Sequence, residues 1–323
     1  MHLEPLSTHS LFDASADRKW IHFAASLGVS HLYTLQNDEL LSVCSLSQTL
    51  IPARGVQVRL PFAMYEPAHQ FSNDQLVLWD GDDLVRVSCA TPAQPEVRGS
   101  FTLPGLRSCA AIGERLYVER SLSDADGLGV CALPTSLGET PTVEQLVPGR
   151  DAHGTWAAVL GERLVWATQD GLELMRPPGI QSRLRYDSVR AYPLVVSPTR
   201  LAVMEVYDDA RTALSFVEVE GSRLRKLASF HPKALVRAWC LSGNRLTVVL
   251  RSARRVGGKR EYNNTLVVFD VETAAELLSL PLPFVEVYGE SQTRVVWLGV
   301  RDDHCAVLLG SGELHRFQAR QRQ

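Results

Sequence analysis

Short runs of alternating apolar and polar residues, each broken after a few positions by Gly, Asn, Asp or Pro, recur along the chain. Successive side chains of a β-strand point to opposite faces of a sheet, so this period of two predicts strands joined by tight turns. Helical periodicity is scarce. The pattern therefore predicts an all-β protein.

One run recurs at nearly regular spacing: a polar pair, usually a leucine, and then two or three strand-forming residues. Steps of 44, 40, 48, 37, 45 and 59 residues separate its anchor positions, which are Leu32, Leu76, Leu116, Leu164, Leu201, Leu246 and Cys305. A repeat in the forties with several strands per unit is typical of β-propellers, whose small sheets stack around an axis. Seven units of about 46 residues account for all 323 residues.

Each unit divides into four short strands, which predicts a seven-bladed β-propeller of four-stranded antiparallel blades. The seventh unit has only three strands, so we expect residues 1–12 to supply its outer strand and to close the ring. A single domain would then cover residues 1–323. Its expected blades are residues 13–59, 60–104, 105–150, 151–189, 190–232, 233–283, and 284–323 together with 1–12.

Residues 267–273 (V-V-F-D-V-E-T) and 276–278 (E-L-L) resemble the third-strand turn of WD40-like and quinoprotein-like propeller repeats. The resemblance is clear in this unit and extends to the others only by spacing. The Gly-His start of a WD40 blade is absent, and the one Trp-Asp pair, Trp79-Asp80, follows a second strand instead of a third. The resemblance implies a propeller fold and a habit of binding other molecules, but no particular reaction.

Net charge, the length of apolar runs and cysteine spacing disfavour several classes of protein. The formal net charge of -3 does not favour wholesale binding of nucleic acid or membranes. The N-terminus lacks the pattern of a signal peptide, and no apolar run is long enough to span a bilayer. The six cysteines are scattered without a C-x-x-C pair, so we expect free buried thiols and a cytoplasmic location.

Motifs that carry chemistry are absent from the sequence. It has no nucleophile elbow, P-loop, dinucleotide-binding glycine fingerprint or closely spaced histidine pair. Residues 124–127 (D-A-D-G) resemble the start of a calcium loop but lack its downstream acidic ligand. We therefore expect no metal, no cofactor and no enzymatic activity.

Charged residues mark one predicted face, because all loops between second and third strands emerge on the same side of a propeller. Most of these loops are acidic and contain Asp80, Asp82, Asp83, Asp124, Asp126, Asp208 and Asp209. The sixth unit instead has a basic loop at residues 251–260, with Arg251, Arg254, Arg255, Lys259 and Arg260. We predict that this face binds a protein partner by charge complementarity. The alternative is that Asp and Gly are there for turn formation and that the basic loop is a mobile insertion.

Two further groups lie on predicted first strands, which line the central channel of a propeller. Arginines near the strand starts would ring the channel mouth and hold an acidic peptide or a small anion, unless they form salt bridges between blades. They are Arg107, Arg190, Arg237 and Arg294. Tryptophans on the same strands are expected to pack between blades. They are Trp20, Trp156, Trp239 and Trp297.

The sequence thus favours a non-catalytic interaction scaffold that presents a charged loop face to a protein partner. The Arg-, Ala- and Leu-rich composition suggests a subunit of a bacterial multiprotein system. One alternative is a hydrolase or lyase with its site at the channel mouth. Another is binding of nucleic acid or anions through the basic loop, although the near-neutral charge and the few aromatic residues there argue against nucleic acid.

Overall fold

The computed structural model divides the chain into two compact units. Unit 1 comprises Met1–Glu66, Cys89–Glu96 and Ala234–Gln323, and unit 2 comprises Pro67–Ser88 and Val97–Lys233. The structure describes residues 2–11, 21–27, 30–36, 38–53, 55–65, 67–72, 74–91, 94–121, 127–148, 157–168, 171–176, 179–186, 190–207, 212–230, 235–257 and 259–320.

Regular structure in the described residues is almost entirely β. The first half contains β1 (His2–Ser10), β2 (Ile21–Leu27), β3 (His31–Gln36), β4 (Leu40–Ser45), β5 (Val56–Arg59), β6 (Ala68–Ser72), β7 (Gln75–Asp80), β8 (Asp83–Ser88), β9 (Glu96–Thr102), β10 (Leu106–Ile112), β11 (Arg115–Arg120), β12 (Gly127–Ala132), β13 (Glu144–Pro148) and β14 (Ala157–Leu160). The second half contains β15 (Arg163–Thr168), β16 (Gly171–Arg176), β17 (Gly179–Arg185), β18 (Arg190–Ser197), β19 (Arg200–Val206), β20 (Thr212–Glu220), β21 (Arg223–Phe230), β22 (Leu235–Ser242), β23 (Arg245–Val256), β24 (Lys259–Asp270), β25 (Glu276–Val287), β26 (Val295–Arg301), β27 (His304–Leu309) and β28 (Glu313–Arg320). A short 3₁₀ helix covers Ser291–Thr293. In the described part of the chain, no helix has the length and apolar character needed to cross a membrane.

Within the described residues the strands form seven four-stranded antiparallel sheets, each of which is a blade. Blades 1 to 6 take four consecutive strands each, from β2–β5 to β22–β25, and blade 7 combines β26, β27 and β28 with β1. Unit 1 holds blades 1, 6 and 7, and unit 2 holds blades 2 to 5. The predicted all-β class and four-stranded blades are confirmed.

The second strand of each blade is its buried centre. The six anchor leucines are 0% exposed, and Cys305 is 4% exposed. A strand that is apolar on both faces must be covered on both, and the hydrophobic clusters do this by joining neighbouring blades. In unit 2, Val77 of blade 2 shares a cluster with Val118 of blade 3, and Val165 of blade 4 shares one with Val203 of blade 5. Full burial of one such side chain contributes about 1.5–3 kcal/mol.

The outer strand of blade 7 comes from the opposite end of the chain. Strand β1 pairs antiparallel with β28 from His2↔Arg320 to Ser10↔Glu313. Nη1 of the buried Arg316 side chain donates to Ser7 Oγ at 2.7 Å, and its Nε donates to the Thr49 carbonyl at 2.8 Å. The predicted completion of the last blade by the N-terminal segment is confirmed.

Of the two first-strand tryptophans that the structure describes, one is buried and one is exposed. Trp297 is 4% exposed and packs in a cluster with Leu32 and Leu308, as predicted. The prediction for Trp239 is wrong, because this side chain is 40% exposed. It lies between Ala238 and Cys240, whose side chains are buried against blade 7, and alternation along the strand turns Trp239 to the other face. Two others, Trp20 and Trp156, lie outside the described residues.

All six cysteines are free and buried, as predicted. Burial is the main cause that raises the pKa of Cys131 to about 11 and that of Cys305 to about 12. The thiolate is the reactive form of cysteine, so these thiols are poor nucleophiles at neutral pH. They act as small apolar side chains in the blades.

Removal of residues 2–10 is expected to destabilise the protein by about 3 kcal/mol or more, because β28 loses a whole ladder of hydrogen bonds and Arg316 loses its Ser7 contact. Chemical denaturation of the truncated and full chains measures this. Removal of residues 321–323 serves as the control and should change the unfolding midpoint little. Equal stability of all three proteins would show that β1 is dispensable for blade 7.

Acid should weaken the fold through His69 of β6, whose partly buried ring lies edge-on to Phe71. Burial lowers the pKa of His69 from 6.5 to about 4. The unfolded chain therefore binds the proton first, and the free energy of unfolding falls as the pH falls from about 6.5 to 4, by up to about 3 kcal/mol. Unfolding of wild type and His69→Phe at pH 7 and pH 4.5 tests this. The variant should lose less stability, and an identical loss would contradict the assignment.

Candidate functional site

Three of the four strands of blade 6 are longer than any described strand of the other blades. Strands β23, β24 and β25 have 12 residues each, whereas the second strands of the other blades have 6 or 7. Pairing of β23 with β24 continues in register to Val256↔Lys259, and Gly257 begins the turn with φ 56°, a backbone conformation that favours glycine. The segment 251–260 was predicted as a loop, but its described residues 251–256 and 259–260 are paired strands of a β-hairpin. We call residues 252–263 the hairpin extension.

Two side-chain pairs across the hairpin extension have opposite effects on this basic segment. Arg254 donates to Glu261 Oε2 from Nε at 3.1 Å and from Nη2 at 2.8 Å, and these two residues lie directly opposite each other. The next pair towards the turn is Arg255↔Arg260, so two like charges face each other. The Arg260 guanidinium carbon lies 5.9 Å from the ring centre of the exposed Tyr288.

Deeper in blade 6, arginines surround the carboxylate of Glu286, which is 4% exposed. Arg237 donates to it from Nη2 at 2.6 Å and from Nε at 3.4 Å, and Arg251 donates from Nη1 at 2.8 Å. The Arg251 guanidinium carbon lies 4.1 Å from the ring centre of Tyr262. Strands β22, β23, β24 and β25 each supply one of these four side chains. The pairing register places Arg251, Tyr262 and Glu286 on one face of the sheet.

A third arginine, Arg294, also influences the pKa of Arg237. Burial lowers the pKa of Arg237, its contacts with Glu286 raise it, and the nearby charges of Arg294 and Arg251 lower it. Arg294 precedes β26 of blade 7, in the same unit. We call Arg237, Arg251 and Arg294 the arginine cluster. The sequence assigned these residues to two separate features. The structure brings Arg237 and Arg251 together on one carboxylate, and the charge of Arg294 acts on Arg237.

The other two arginines predicted at the channel mouth lie in unit 2. Arg107 is exposed and lies at a bulge of β10, between Leu106 and Ser108, just as Arg237 lies at a bulge of β22. Arg190 begins β18. A bulge places an extra residue in the strand, and at both bulges that residue is an arginine. A ring of all four arginines around a channel stays a prediction.

Aspartates of the predicted acidic face take part in local hydrogen bonds where the structure describes them. Asp82 Oδ1 accepts from the Gly105 amide at 2.9 Å, and Asp83 Oδ1 accepts from Thr102 Oγ1 at 2.6 Å. These contacts fasten the β7–β8 turn, in which Asp80 pairs with Asp83, to the end of β9 and to the segment that joins β9 to β10. Turn formation therefore accounts for Asp82 and Asp83, and their role in partner binding stays a prediction. The remaining predicted aspartates lie outside the described residues; they are Asp124, Asp126, Asp208 and Asp209.

Blade 5 contains a buried polar cluster that was not predicted from the sequence. Glu205 is 0% exposed and accepts hydrogen bonds from Tyr207 Oη at 2.9 Å, from Lys226 Nζ at 2.9 Å and from Ser215 Oγ. Lys226 Nζ also lies 4.7 Å from the ring centre of Tyr186. With three donors on one carboxylate, Glu205 serves to tie strands together and is not available as a free base. A lone glutamate within the apolar run of residues 201–206 is the sequence signal.

Other candidate sites offer less. A cleft of about 510 Å³ in unit 2 is lined partly by Arg163, Arg176 and Glu162. Arg163 Nη1 donates to the Gly221 carbonyl at 2.5 Å, and Arg176 pairs with Glu162 at 3.0 Å, so these charges are already engaged. The described residues contain no group of three or more His, Cys, Asp or Glu side chains arranged to hold a metal ion.

Comparison with solved structures identifies the fold. The chain matches KlHsv2 with its loop 6CD replaced by a Gly-Ser linker (TM-score 0.60, 10% identity, 94% of each chain). It also matches the WD40 β-propeller domain of Doa1 (TM-score 0.56, 9% identity, 99% of this chain and 98% of that one). A third match is virginiamycin B lyase from Staphylococcus aureus (TM-score 0.55, 8% identity, 97% and 99%).

These comparisons show that the chain is a seven-bladed β-propeller. Identities of 8–10% show the fold alone. No protein-family profile and no curated protein matches the sequence. A WD40 domain and a lyase share the fold, so function has to be argued from the side chains of this chain.

Replacement Glu286→Gln is expected to lower the free energy of unfolding by about 3 kcal/mol or more, since it leaves Arg237 and Arg251 partly buried without their counter-charge. The matched control is Glu261→Gln, which removes an ion pair nearer the surface and should cost less than about 1 kcal/mol. Urea unfolding of both variants measures the difference. Equal effects would show that Glu286 does not hold the cluster together.

Proposed function

We propose that the protein is a non-catalytic interaction scaffold whose hairpin extension in blade 6 docks an acidic surface of a protein partner. The observation that carries this proposal is the facing pair Arg255↔Arg260 at the end of a strand pair twice as long as those of most other blades. A projecting cationic hairpin increases the rate of encounter with an acidic partner and fixes its orientation.

Stability alone does not account for the facing arginines. Like charges directly opposite on neighbouring strands destabilise a hairpin, and a Glu at either position would form an attractive pair. The preceding pair, Arg254 and Glu261, shows that this hairpin uses such attraction elsewhere. Two adjacent cations near the exposed turn therefore support a role in binding.

The chemistry of the other candidate sites also supports a scaffold over a hydrolase or lyase. The carboxylate of Glu205 has three donors, and that of Glu286 is held by two arginines. General acid–base catalysis needs a carboxyl that can exchange a proton with substrate, and neither group is placed to do so. A bacterial multiprotein system and a cytoplasmic location, expected from composition and cysteine usage, form part of the same proposal.

Charge reversal at one arginine should separate binding from folding. Arg255→Glu replaces the repulsion across the hairpin with attraction, so the variant should fold at least as stably as the wild type. It should nevertheless capture about tenfold less of the acidic partner from an extract of the native host, because the docking charge is inverted. Affinity capture followed by quantification of bound proteins measures this, with thermal melting as the test of folding.

The control is Arg223→Glu, which makes the same change in net charge at an exposed arginine beginning β21 of unit 2. It should leave capture unchanged. Equal capture by the wild type and both variants would count against the hairpin extension as the docking site. Equal losses in both variants would indicate a general effect of net charge.

A further inference from the structure

We propose that Arg237 and Arg251 of the arginine cluster form a binding site for an oxyanion, a carboxylate or phosphate group, through the N–H groups that Glu286 leaves without an acceptor. This inference does not depend on the docking of a partner at the hairpin extension. It concerns side chains at the base of that extension, on the face of blade 6 that packs against blade 7.

The first argument is the charge balance. Arg237 and Arg251 share a single carboxylate, that of Glu286, so the pair keeps one unit of positive charge. The Arg237 and Arg251 side chains are only 19% and 14% exposed, so water screens this charge incompletely. Partly buried charge without compensation is unfavourable, and an anion removes the imbalance.

The second argument is the surplus of hydrogen-bond donors. Within the described residues, Arg251 donates only through Nη1, and its buried Nε has no acceptor. Arg237 uses Nη2 and Nε, which leaves Nη1 without a partner among the same residues. A guanidinium has five N–H donors in a fixed plane, a geometry that matches two oxygens of a carboxylate or phosphate.

The third argument is preorganisation. Arg251 is held from one side by Glu286 and lies over the Tyr262 ring. Arg237 is fixed by two contacts to Glu286 from the bulge of β22. Long side chains that are already immobilised lose little entropy on binding, so most of the electrostatic attraction contributes to affinity.

The test uses the full chain and two probes, inorganic phosphate and glutarate, in buffer of low ionic strength at neutral pH. Calorimetric titration should show binding to the wild type that is weakened about tenfold or more in Arg251→Gln. This variant leaves Glu286 paired one-to-one with Arg237, so the fold should be retained. Arg223→Gln in unit 2 is the matched control and should bind like the wild type.

In contrast to Arg251→Gln, the substitution Glu286→Gln is expected to strengthen the stabilisation of the protein by an added anion. This substitution removes the internal competitor for the arginines, so either anion should raise the melting temperature of the variant more than that of the wild type. A merely structural role of the cluster predicts no such rescue. If the variant does not fold, the Arg251→Gln titration decides alone.

The outcomes separate clearly. Binding of phosphate alone, of glutarate alone or of both, with the loss in Arg251→Gln, supports the site and identifies the group that it takes. Absence of binding to the wild type overturns the proposal. Equal affinity in wild type and Arg251→Gln also overturns it, because the anion then binds elsewhere.

Discussion

Mutual covering of the blades is the constraint on which the rest of the structure depends. The second strand of each blade is apolar on both faces, and a four-stranded sheet cannot shield both by itself. Neighbouring blades bury Leu116, Leu164 and Leu201 completely. Charged side chains are therefore concentrated near the ends of strands and in the turns. The arginine cluster and the hairpin extension both lie there.

The anchor positions could be predicted from sequence because they depend on local pattern and spacing alone. The hairpin extension could not be predicted, because the sequence of residues 251–260 is equally compatible with a basic loop. The pairing of β23 with β24 and of β24 with β25, which extends the strands, does not follow from the local sequence. The partners of Glu286 lie 35 and 49 residues away along the chain. Such contacts follow from register and from a bulge in β22, neither of which a single sequence specifies.

The exposure of Trp239 shows a similar limit. Its neighbours Ala238 and Cys240 are small and buried, while the large aromatic side chain faces away. Size and hydrophobicity favoured the opposite arrangement. The position of each side chain along the strand decides which face it joins, and one residue of shift exchanges the two faces.

The pairing of β1 with β28 has a consequence for biosynthesis. A ribosome makes β1 roughly 300 residues before its partner β28, so β1 lacks this partner while blades 1 to 6 are synthesised. A waiting strand is open to wrong pairing with other nascent chains. The composition of β1 disfavours such wrong pairing. None of its side chains is fully buried, and it contains Glu4 and several hydroxyl and imidazole side chains. Pro5 lies next to the register shift in its pairing with β28 and has no N–H group to donate to another strand.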